Sequence, residues 1–529
     1  MDMIETDVCV VGGGIAALRA AMAARAAGAS VLVVSKGKAG KSGCSVISEG
    51  ILNAPFAPND SPALFVNDII NASAGVAKRQ LAWALAESAR DAVLSLEDAG
   101  ITFEREESGE LHLKLSGGHA VARTVRVTPS GPGCGKVIPQ ALYEQATGMD
   151  ITLWDGATVV KVLTNEGKVC GAVVYDGSSY RLVSCAAVVL ATGGAGRVYL
   201  YSTNPTGIMG DGAYLALDAG ASLVDMEYVQ FFPTVALSSY LLLPFIFTDG
   251  AQLLNSEGER FIGRYDPSLM EATTRDKMSQ AIFTEAMEGR GVEGGACVSC
   301  ASVPPDILET KYADEAALFA KHGLDLATDP IPVRPACHFF MGGVDIDAEC
   351  RTAVPGLYAC GECAGGTHGA NRLAGNALTE TLVFGSRAGS SAAAYAASAE
   401  RHCPSDEAEA YVGTLPSTGG ESLAPRLAAL RNIAWEKLGI IRTQESLSSA
   451  INDLDWFGAE IGGAEQTADL ETFFDFRCAV TVLKAVAVAA LDRTESRGAH
   501  YRADFPRQSE AWKKAIVVRP GFEIAYDPR

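Results

Sequence analysis

The chain opens with two apolar runs separated by a glycine turn and a helix-forming stretch. Residues 7–11 (DVCVV) have the length and composition of a buried parallel strand. Three glycines follow, then the alanine-rich stretch RAAMAARAAGA, then a second apolar run, SVLVVSK. A strand, a tight turn, a helix and a second strand in this order predict a βαβ unit.

The glycine turn fits a dinucleotide-binding pattern. Gly12, Gly14 and Ala17 match GxGxxA, in which glycines allow a tight turn and let a pyrophosphate approach the helix N-terminus. The second strand ends at Ser35 and Lys36, where such folds usually place an acidic residue for the ribose. A serine hydroxyl can make the same hydrogen bond more weakly.

Later apolar runs continue this domain. Residues 186–194 (AAVVLATGG) read as a strand that ends in a glycine turn, and residues 343–366 contain another strand followed by small residues. The pattern predicts a dinucleotide domain in two parts, an inserted segment between them, and a helical C-terminal part. Their predicted bounds are 1–234 and 336–404 for the two parts, 235–335 for the insertion and 405–529 for the helices.

Composition and charge narrow the function classes. The 529 residues include 43 basic and 63 acidic side chains, so the net charge is −20, which argues against nucleic acid or an anionic membrane surface as a general partner. The longest apolar stretch, residues 235–247, is interrupted by two serines and a proline and is too short to span a bilayer. The acidic N-terminus MDMIETD is not a secretory signal. We therefore predict a cytoplasmic protein whose contact with a membrane, if any, runs through partner subunits.

Thirteen scattered cysteines predict reduced thiols and not a disulfide framework. Two CxxC pairs, Cys297/Cys300 and Cys360/Cys363, invite a zinc or cluster interpretation. The second pair falls in a glycine turn, where a structural role suffices, and the first lies at the far edge of the insertion, so we predict no metal site. Because no run of clustered cysteines could hold an iron–sulfur cluster, electrons have to pass to or from a separate partner.

Ordered motifs over nearly the whole chain resemble the flavoprotein family of succinate dehydrogenase, fumarate reductase and L-aspartate oxidase. They include VVGGGIAALRA, ATGGAGRVY, GDGAYLALDAGA, TTRDKMSQAI, HFFMGGV, HGANRLAGNALTETLVFG and ESRGAHYRADFP. The resemblance implies an α/β fold with a Rossmann-like FAD-binding domain, an inserted α+β capping domain and a C-terminal helical domain. It also implies FAD as cofactor, with contacts from Gly12, Gly14, Ala17, Ser35, Lys36, Ser42, Gly43, Gly50, Ala157, Thr192, Gly193, Asp211, Glu362, Asn376, Ala377 and Leu378.

Respiratory members of this family attach FAD covalently through a histidine in the loop after the second strand. Here that loop is KSGCSVISEGILNA, residues 41–54, without histidine, and Gly43 falls at about the matching place. The resemblance therefore implies non-covalent FAD. Cys44 is either a flavin or thiol partner or a small buried cysteine.

The family transfers a hydride between flavin N5 and a carbon next to a carboxylate, while a protein group moves a proton at the neighbouring carbon. Three positions match its catalytic residues: Arg275, the proton donor or acceptor, and His338 and Arg372, which hold one carboxylate. The chemistry is consistent with these roles, because a guanidinium binds a carboxylate bidentately and stays charged.

The opposite side of the implied substrate site departs from the family. The family's QFHPT reads QFFPT here, so Phe232 replaces a carboxylate-binding histidine, and alignment on GAQ places Leu243, Pro244 and Phe247 at further polar positions. Ser116 replaces the glutamate that aspartate oxidases carry before Gly-Gly-His, and His119 is the retained histidine of that group. Burying a second carboxylate against such a wall costs several kcal/mol. We therefore predict a substrate with one carboxylate and an apolar far end.

Three functions remain open from the sequence. The first is an FAD-dependent oxidoreductase acting on a C–C bond beside a carboxylate, with a separate iron–sulfur subunit or another electron carrier as partner. The second is a stand-alone oxidase resembling L-aspartate oxidase. The third is an electron-transfer subunit of a larger complex without small-acid chemistry of its own.

Overall fold

The computed structural model describes residues 1–131, 133–237, 240–242, 245–400 and 405–529. Within these ranges its helices are α1 (Ile15–Ala26), α2 (Pro62–Ala72), α3 (Arg79–Leu94), α4 (Val137–Thr147), α5 (Asp211–Asp218), α6 (Phe245–Thr248), α7 (Arg275–Met287), α8 (Pro305–Lys311), α9 (Ala313–Ala320), α10 (Asn376–Ala396), α11 (Ser405–Val412), α12 (Ala424–Leu438), α13 (Gln444–Gly462) and α14 (Leu470–Asp492).

The strands of the same ranges are β1 (Met3–Glu5), β2 (Val8–Val11), β3 (Val31–Ser35), β4 (Ile51–Asn53), β5 (Thr102–Phe103), β6 (Thr124–Thr128), β7 (Thr152–Asp155), β8 (Thr158–Asn165), β9 (Lys168–Tyr175), β10 (Tyr180–Ser184), β11 (Ala187–Leu190), β12 (Leu223–Val224), β13 (Val229–Ala236), β14 (Tyr240–Leu241), β15 (Gln252–Leu254), β16 (Ala296–Ser299), β17 (Ile331–Phe340), β18 (Gly343–Val344), β19 (Leu357–Ala359), β20 (Ser417–Thr418), β21 (Gln466–Thr467), β22 (Lys514–Arg519) and β23 (Glu523–Pro528).

A five-stranded sheet of order β19-β11-β2-β3-β7 forms the centre of the cofactor half, and every neighbouring pair in it is parallel. The apolar runs of the sequence form its middle strands, which are buried throughout, as parallel strands covered on both faces are. Helix α1 packs closely on α10 because Gly389 has no side chain: a Cβ there would lie 2.0 Å from the carbonyl oxygen of Ala20.

The insertion contributes most of a second five-stranded sheet, of order β14-β13-β17-β16-β15. Its apolar residues form a hydrophobic cluster of their own, drawn from residues between 236 and 333 and including Ile246, Phe261, Ile282 and Phe319. Strands β13 and β17 are antiparallel neighbours within this sheet, with Phe232 opposite Ala336. Phe232 of β13 and His338 of β17 line one cavity.

The C-terminal part is helical from α11 to α14 and then ends in a β-hairpin, β22–β23, which the sequence prediction of a helical domain did not include. Strand β22 pairs with β12, Leu223 opposite Val518. The reason is local: the segment KAIVVR has β-branched residues and buries Ile516 and Val518 at a spacing of two, the period of a strand.

The most apolar long helix, α14, has 23 residues and packs into the same hydrophobic core as the cofactor domain. Across the described ranges, no helix combines the length and the apolar character needed to cross a membrane.

Candidate active site

A cavity of about 1110 Å³ opens where the strands of the central sheet end. Gly12 follows β2, Ser35 ends β3, Thr192 follows β11 and Glu362 follows β19, and all four line it. Ligands of open α/β sheets bind at this carboxyl edge. The cavity continues past the sheet to β13, β17 and the insertion, so it exceeds what a small acid alone requires.

Two helix N-termini border this cavity. Helix α1 begins after Gly14 and helix α10 after Gly375, and these glycines have no side chain to accept a bond from the first turn; in α1 the backbone N–H of Ile15 donates to Ser45 Oγ at 3.3 Å. The first backbone N–H groups of a helix lack partners within the helix, and their dipoles favour an anion. Gly12, at a φ of +128°, makes the turn before α1, and a Cβ there would lie 2.2 Å from the carbonyl oxygen of Ala191. These features fit a cofactor that has a pyrophosphate.

Most of the predicted cofactor residues line the cavity: Gly12, Gly14, Ser35, Lys36, Ser42, Gly43, Ala157, Thr192, Gly193, Asp211, Glu362, Ala377 and Leu378. The ammonium of Lys36 is paired with Asp211 at 2.9 Å and Asp475 at 2.5 Å. The carboxyl of Glu362 accepts a hydrogen bond from the backbone N–H of Phe340 at 3.1 Å, and burial raises its pKa to about 7.

Three predicted cofactor residues do not reach the cavity wall. Ala17 is fully buried inside α1, and Gly50 makes a left-handed turn packed against the side chain of Val127. The Asn376 side chain turns inward and accepts a hydrogen bond from Asn53 at 2.7 Å.

Arg372 lies buried at the end of the cavity nearest β13. Its Nη2 donates to Gln230 Oε1 at 2.9 Å and its Nη1 to the carbonyl oxygen of Leu373 at 3.4 Å. The guanidinium also stacks on the Phe339 ring, 4.3 Å from its centroid. Burial and the nearby Arg275 lower the Arg372 pKa to about 10, and no described carboxylate forms an ion pair with it.

His338 lines the same cavity from β17. Its Nδ1 lies 2.9 Å from Thr203 Oγ1, and that hydroxyl also lies 3.3 Å from the carbonyl oxygen of Cys337. Burial, with Arg372 and Arg275 nearby, lowers the His338 pKa well below its usual value, so the ring is neutral. When the Thr203 hydroxyl donates along its shorter contact to Nδ1, the proton of the ring resides on Nε2, where it can be donated to a ligand.

Arg275 begins α7 and also lines the cavity. Its guanidinium lies 5.0 Å from the Phe232 ring, and it makes neither an ion pair nor a hydrogen bond with any residue that the structure describes. Burial lowers its pKa to about 10. Phe232, almost fully buried, also lies against the neutral His338, its ring centroid 5.5 Å from that of His338.

The wall that continues from Phe232 is apolar for most of its length. Leu237, Leu241 and Leu318 line it, with Tyr240 and His322 as polar neighbours. Leu243 and Pro244, which we predicted for this wall, lie outside the described residues. Phe247, predicted at the position of a relay arginine, packs instead into the hydrophobic cluster of the insertion.

His119, predicted in the substrate pocket, lies behind the cavity. It is buried, and its Nε2 is 3.3 Å from Asn53 Nδ2. Burial and the neighbouring Arg123 lower its pKa to about 4, so the ring is neutral. His119 therefore contacts Asn53 behind the cavity wall and does not itself line the cavity.

Cys44 lines the cavity, and burial raises the pKa of its thiol well above the usual value. A protonated thiol is a poor nucleophile and a poor metal ligand. Among the described residues, no group of three or more His, Cys, Asp or Glu side chains is arranged to hold a metal ion.

Sequence reasoning missed the residues that position the Arg372 guanidinium and the His338 ring. Gln230 bridges Arg372 and Asn371: its Nε2 donates to Asn371 Oδ1 at 3.0 Å. Asn204 Nδ2 donates to the carbonyl oxygen of His338 at 3.1 Å, and Thr203 holds the ring. Gln230 could have been found from the sequence, because it is the first residue of the QFFPT motif. No sequence pattern around residue 203 indicated that this segment folds against β17.

Comparisons with known proteins agree with this geometry. A family model described as an FAD binding domain matches residues 7–378, and one described as the fumarate reductase flavoprotein C-terminus matches residues 427–528. One subunit of the CoM/CoB fumarate reductase of Methanothermobacter marburgensis is 36% identical, over 99% of this chain and 98% of the relative. L-Aspartate oxidase of Streptomyces coelicolor is 34% identical, over 98% of this chain and 92% of the relative.

Solved structures give the same result. A variant of the E. coli quinol fumarate reductase flavoprotein superimposes with a TM-score of 0.90 at 28% identity, covering 100% of this chain and 97% of that one. These matches confirm the predicted fold class and the FAD cofactor. The chain is an FAD-dependent oxidoreductase that belongs to the flavoprotein family of fumarate reductase, succinate dehydrogenase and L-aspartate oxidase.

Proposed function

We propose that this flavoenzyme acts on the C–C bond next to the carboxylate of a small monocarboxylic acid with an apolar far end. The observation that carries the proposal is the pair of guanidiniums, Arg275 and Arg372, that reach one cavity without an ion-pair partner among the described residues. Arg372 is buried, and a buried cation without a counter-ion costs several kcal/mol. A bound carboxylate compensates this cost.

The apolar wall supports a single carboxylate. If Arg372 and His338 hold one end of the ligand, its other end extends along Phe232, Leu241 and Leu318. An acid group at that end would lose water without gaining a charged partner from these side chains. A methyl, branched or aromatic group would instead gain about 25 cal/mol for each Å² of apolar surface that it buries.

The protein's part in the reaction follows from these contacts. Bound FAD supplies the hydride donor or acceptor. Arg372 and neutral His338 draw electron density into the carboxylate, which makes an adjacent double bond a better hydride acceptor. Arg275 is placed to give or take a proton at the neighbouring carbon, and burial makes it a stronger acid than an ordinary guanidinium.

Anaerobic turnover with a reduced viologen dye tests the proposal. We expect the FAD-loaded enzyme to oxidise the dye with trans-crotonate or trans-cinnamate at millimolar concentration, and far more slowly with fumarate. Arg372→Lys keeps the charge but loses the planar fork, and should reduce the rate at least tenfold. Robust turnover of fumarate together with no turnover of the monocarboxylates would overturn the proposal.

The electron partner is a further part of the proposal. One similar protein is named for CoM/CoB and another for quinol, so donors differ among similar chains. We propose a separate protein partner or soluble carrier as the electron donor here. Affinity purification from native cells should recover a redox protein with this chain. Rapid hydrogen peroxide release in air, with no such protein recovered, would favour a stand-alone oxidase instead.

A further inference from the structure

Asn53 is a fully buried polar residue that contacts neither the cavity nor solvent. It ends β4 opposite Thr124 of β6, whose hydroxyl donates to Asn53 Oδ1 at 2.8 Å. Its backbone N–H and C=O both bond the Thr379 hydroxyl of α10, each at 2.9 Å. A buried side chain with every polar group engaged is costly to replace, because each lost partner leaves another group unpaired.

The amide of Asn53 fastens the segment that leads from Arg372 into α10. Its two N–H groups donate to the carbonyl oxygen of Ala374 at 2.6 Å and to Asn376 Oδ1 at 2.7 Å. Between these residues, Gly375 has a φ of +85°, and a Cβ there would lie 2.6 Å from Asn53 Oδ1. The amide thus fills the space that the left-handed turn leaves open.

A continuous set of hydrogen bonds joins this amide to the guanidinium. The backbone N–H of Asn376 donates to the carbonyl oxygen of Leu373 at 3.3 Å, and Arg372 Nη1 donates to the same oxygen at 3.4 Å. The other terminal nitrogen of the guanidinium, Nη2, donates to Gln230 Oε1 at 2.9 Å. The direction of the guanidinium therefore depends on where the turn at 373–376 lies.

We infer that Asn53 is a positioning residue that orients Arg372 toward the bound carboxylate by holding the turn at 373–376. The neutral ring of His119 lies next to the same amide, with its Nε2 3.3 Å from Asn53 Nδ2. This inference rests on the proposed function, since it names the residue that sets the carboxylate site. A displacement of about 1 Å in such a group costs up to about 100-fold in rate.

Carboxylate binding to the oxidised, FAD-loaded enzyme tests the inference, with trans-cinnamate as the probe and the flavin absorbance as the readout. No turnover occurs, because both partners are already oxidised. We expect Asn53→Ala to weaken cinnamate at least tenfold while FAD content stays near one per chain. Thr124→Val removes the bond to Oδ1 and the 2.9 Å contact with Ser116 Oγ but leaves both N–H donors of Asn53, so it should leave cinnamate affinity within about threefold of wild type while lowering the unfolding temperature.

Asn53→Asp separates positioning from packing, because it keeps the shape and the bond from Thr124 but lacks the two N–H donors. At pH 8 the new side chain is a carboxylate, and the variant should bind cinnamate as poorly as Asn53→Ala. Its own proton, regained toward pH 6, supplies one donor and should restore part of the affinity, by a larger factor than in wild type, where the cavity-lining Glu362 also titrates near pH 7. Unchanged affinity in both variants, or equal loss in Thr124→Val, overturns the inference.

The outcomes remain distinguishable from failure of the proposed function. If wild type itself binds no cinnamate, the substrate proposal is wrong. In that case the chloride or acetate dependence of the flavin spectrum still reports whether Asn53→Asp disturbs an anion site. If Asn53→Ala yields no FAD-loaded protein, the pH dependence of Asn53→Asp decides alone, and its absence counts against the inference.

Discussion

Replacing Phe232 with histidine should convert the apolar wall into a second acid-binding surface. The ring is almost fully buried, 5.5 Å from His338 and 5.0 Å from the Arg275 guanidinium, so a side chain here meets whatever lies between those groups. An imidazole N–H that donates to a carboxylate contributes about 1.5–3 kcal/mol. At 1.4 kcal/mol for each factor of ten, fumarate should bind roughly 10- to 150-fold more tightly to the variant.

The same substitution also removes stabilising contacts, which predicts the direction of change of the unfolding temperature and of cinnamate binding. Arg275 loses a cation–π contact of about 0.5–2 kcal/mol, and the core loses most of the burial energy of a phenylalanine, about 1.5–3 kcal/mol. We therefore expect a lower unfolding temperature and weaker cinnamate binding. Stronger fumarate binding in a less stable protein cannot arise from general tightening of the fold.

The assay is the ratio of the two dissociation constants, fumarate over cinnamate, read from flavin absorbance with oxidised enzyme. Phe232→Leu is the matched control: it removes the ring but stays apolar, so its ratio should stay close to that of wild type. The reasoning fails if wild type already binds fumarate as tightly as cinnamate, or if the histidine and leucine variants give the same ratio.

Three further outcomes follow from the structure. Thr203→Val removes the hydroxyl at Nδ1 of His338 and should raise KM for the acid about tenfold at unchanged FAD content, with Thr203→Ser restoring it; equal KM in all three proteins would show that this hydroxyl does not orient the imidazole. Gly12→Ala should abolish FAD-loaded protein because its Cβ meets a backbone oxygen, whereas Gly28→Ala, also at positive φ but in open space, should cost only about 1 kcal/mol of stability; comparable FAD content in both would refute the steric argument. Burial raises the Glu362 pKa above its unfolded value to about 7, so wild-type stability should fall between about pH 4.5 and 7 relative to Glu362→Gln, measured as unfolding temperature; parallel curves would show that the carboxyl is not held from water.

The fold followed from local patterns because each needs only neighbouring residues. The apolar runs around Gly12 became β2 and β3, and the motif residues Arg372 and His338 reached one cavity as their motifs implied. Where prediction differed, the deciding contacts join distant segments. The C-terminal hairpin forms from a local β-branched segment, but its place in the fold depends on the pairing of β22 with β12, almost three hundred residues earlier in the chain.

The sequence by itself determined the cofactor, the cationic side chains and the loss of a histidine at Phe232, since each depends on residue type within a short frame. Tertiary structure alone decided that the side chains of Asn376 and His119 face inward. It also decided that Thr203 contacts the imidazole of His338, that Gln230 contacts the guanidinium of Arg372, and that Asn53 holds the turn that follows Arg372. The physical reason is that a hydrogen bond depends on the distance and direction between two groups that can lie hundreds of positions apart, 326 for Asn53 and Thr379, and no periodicity along the chain records this.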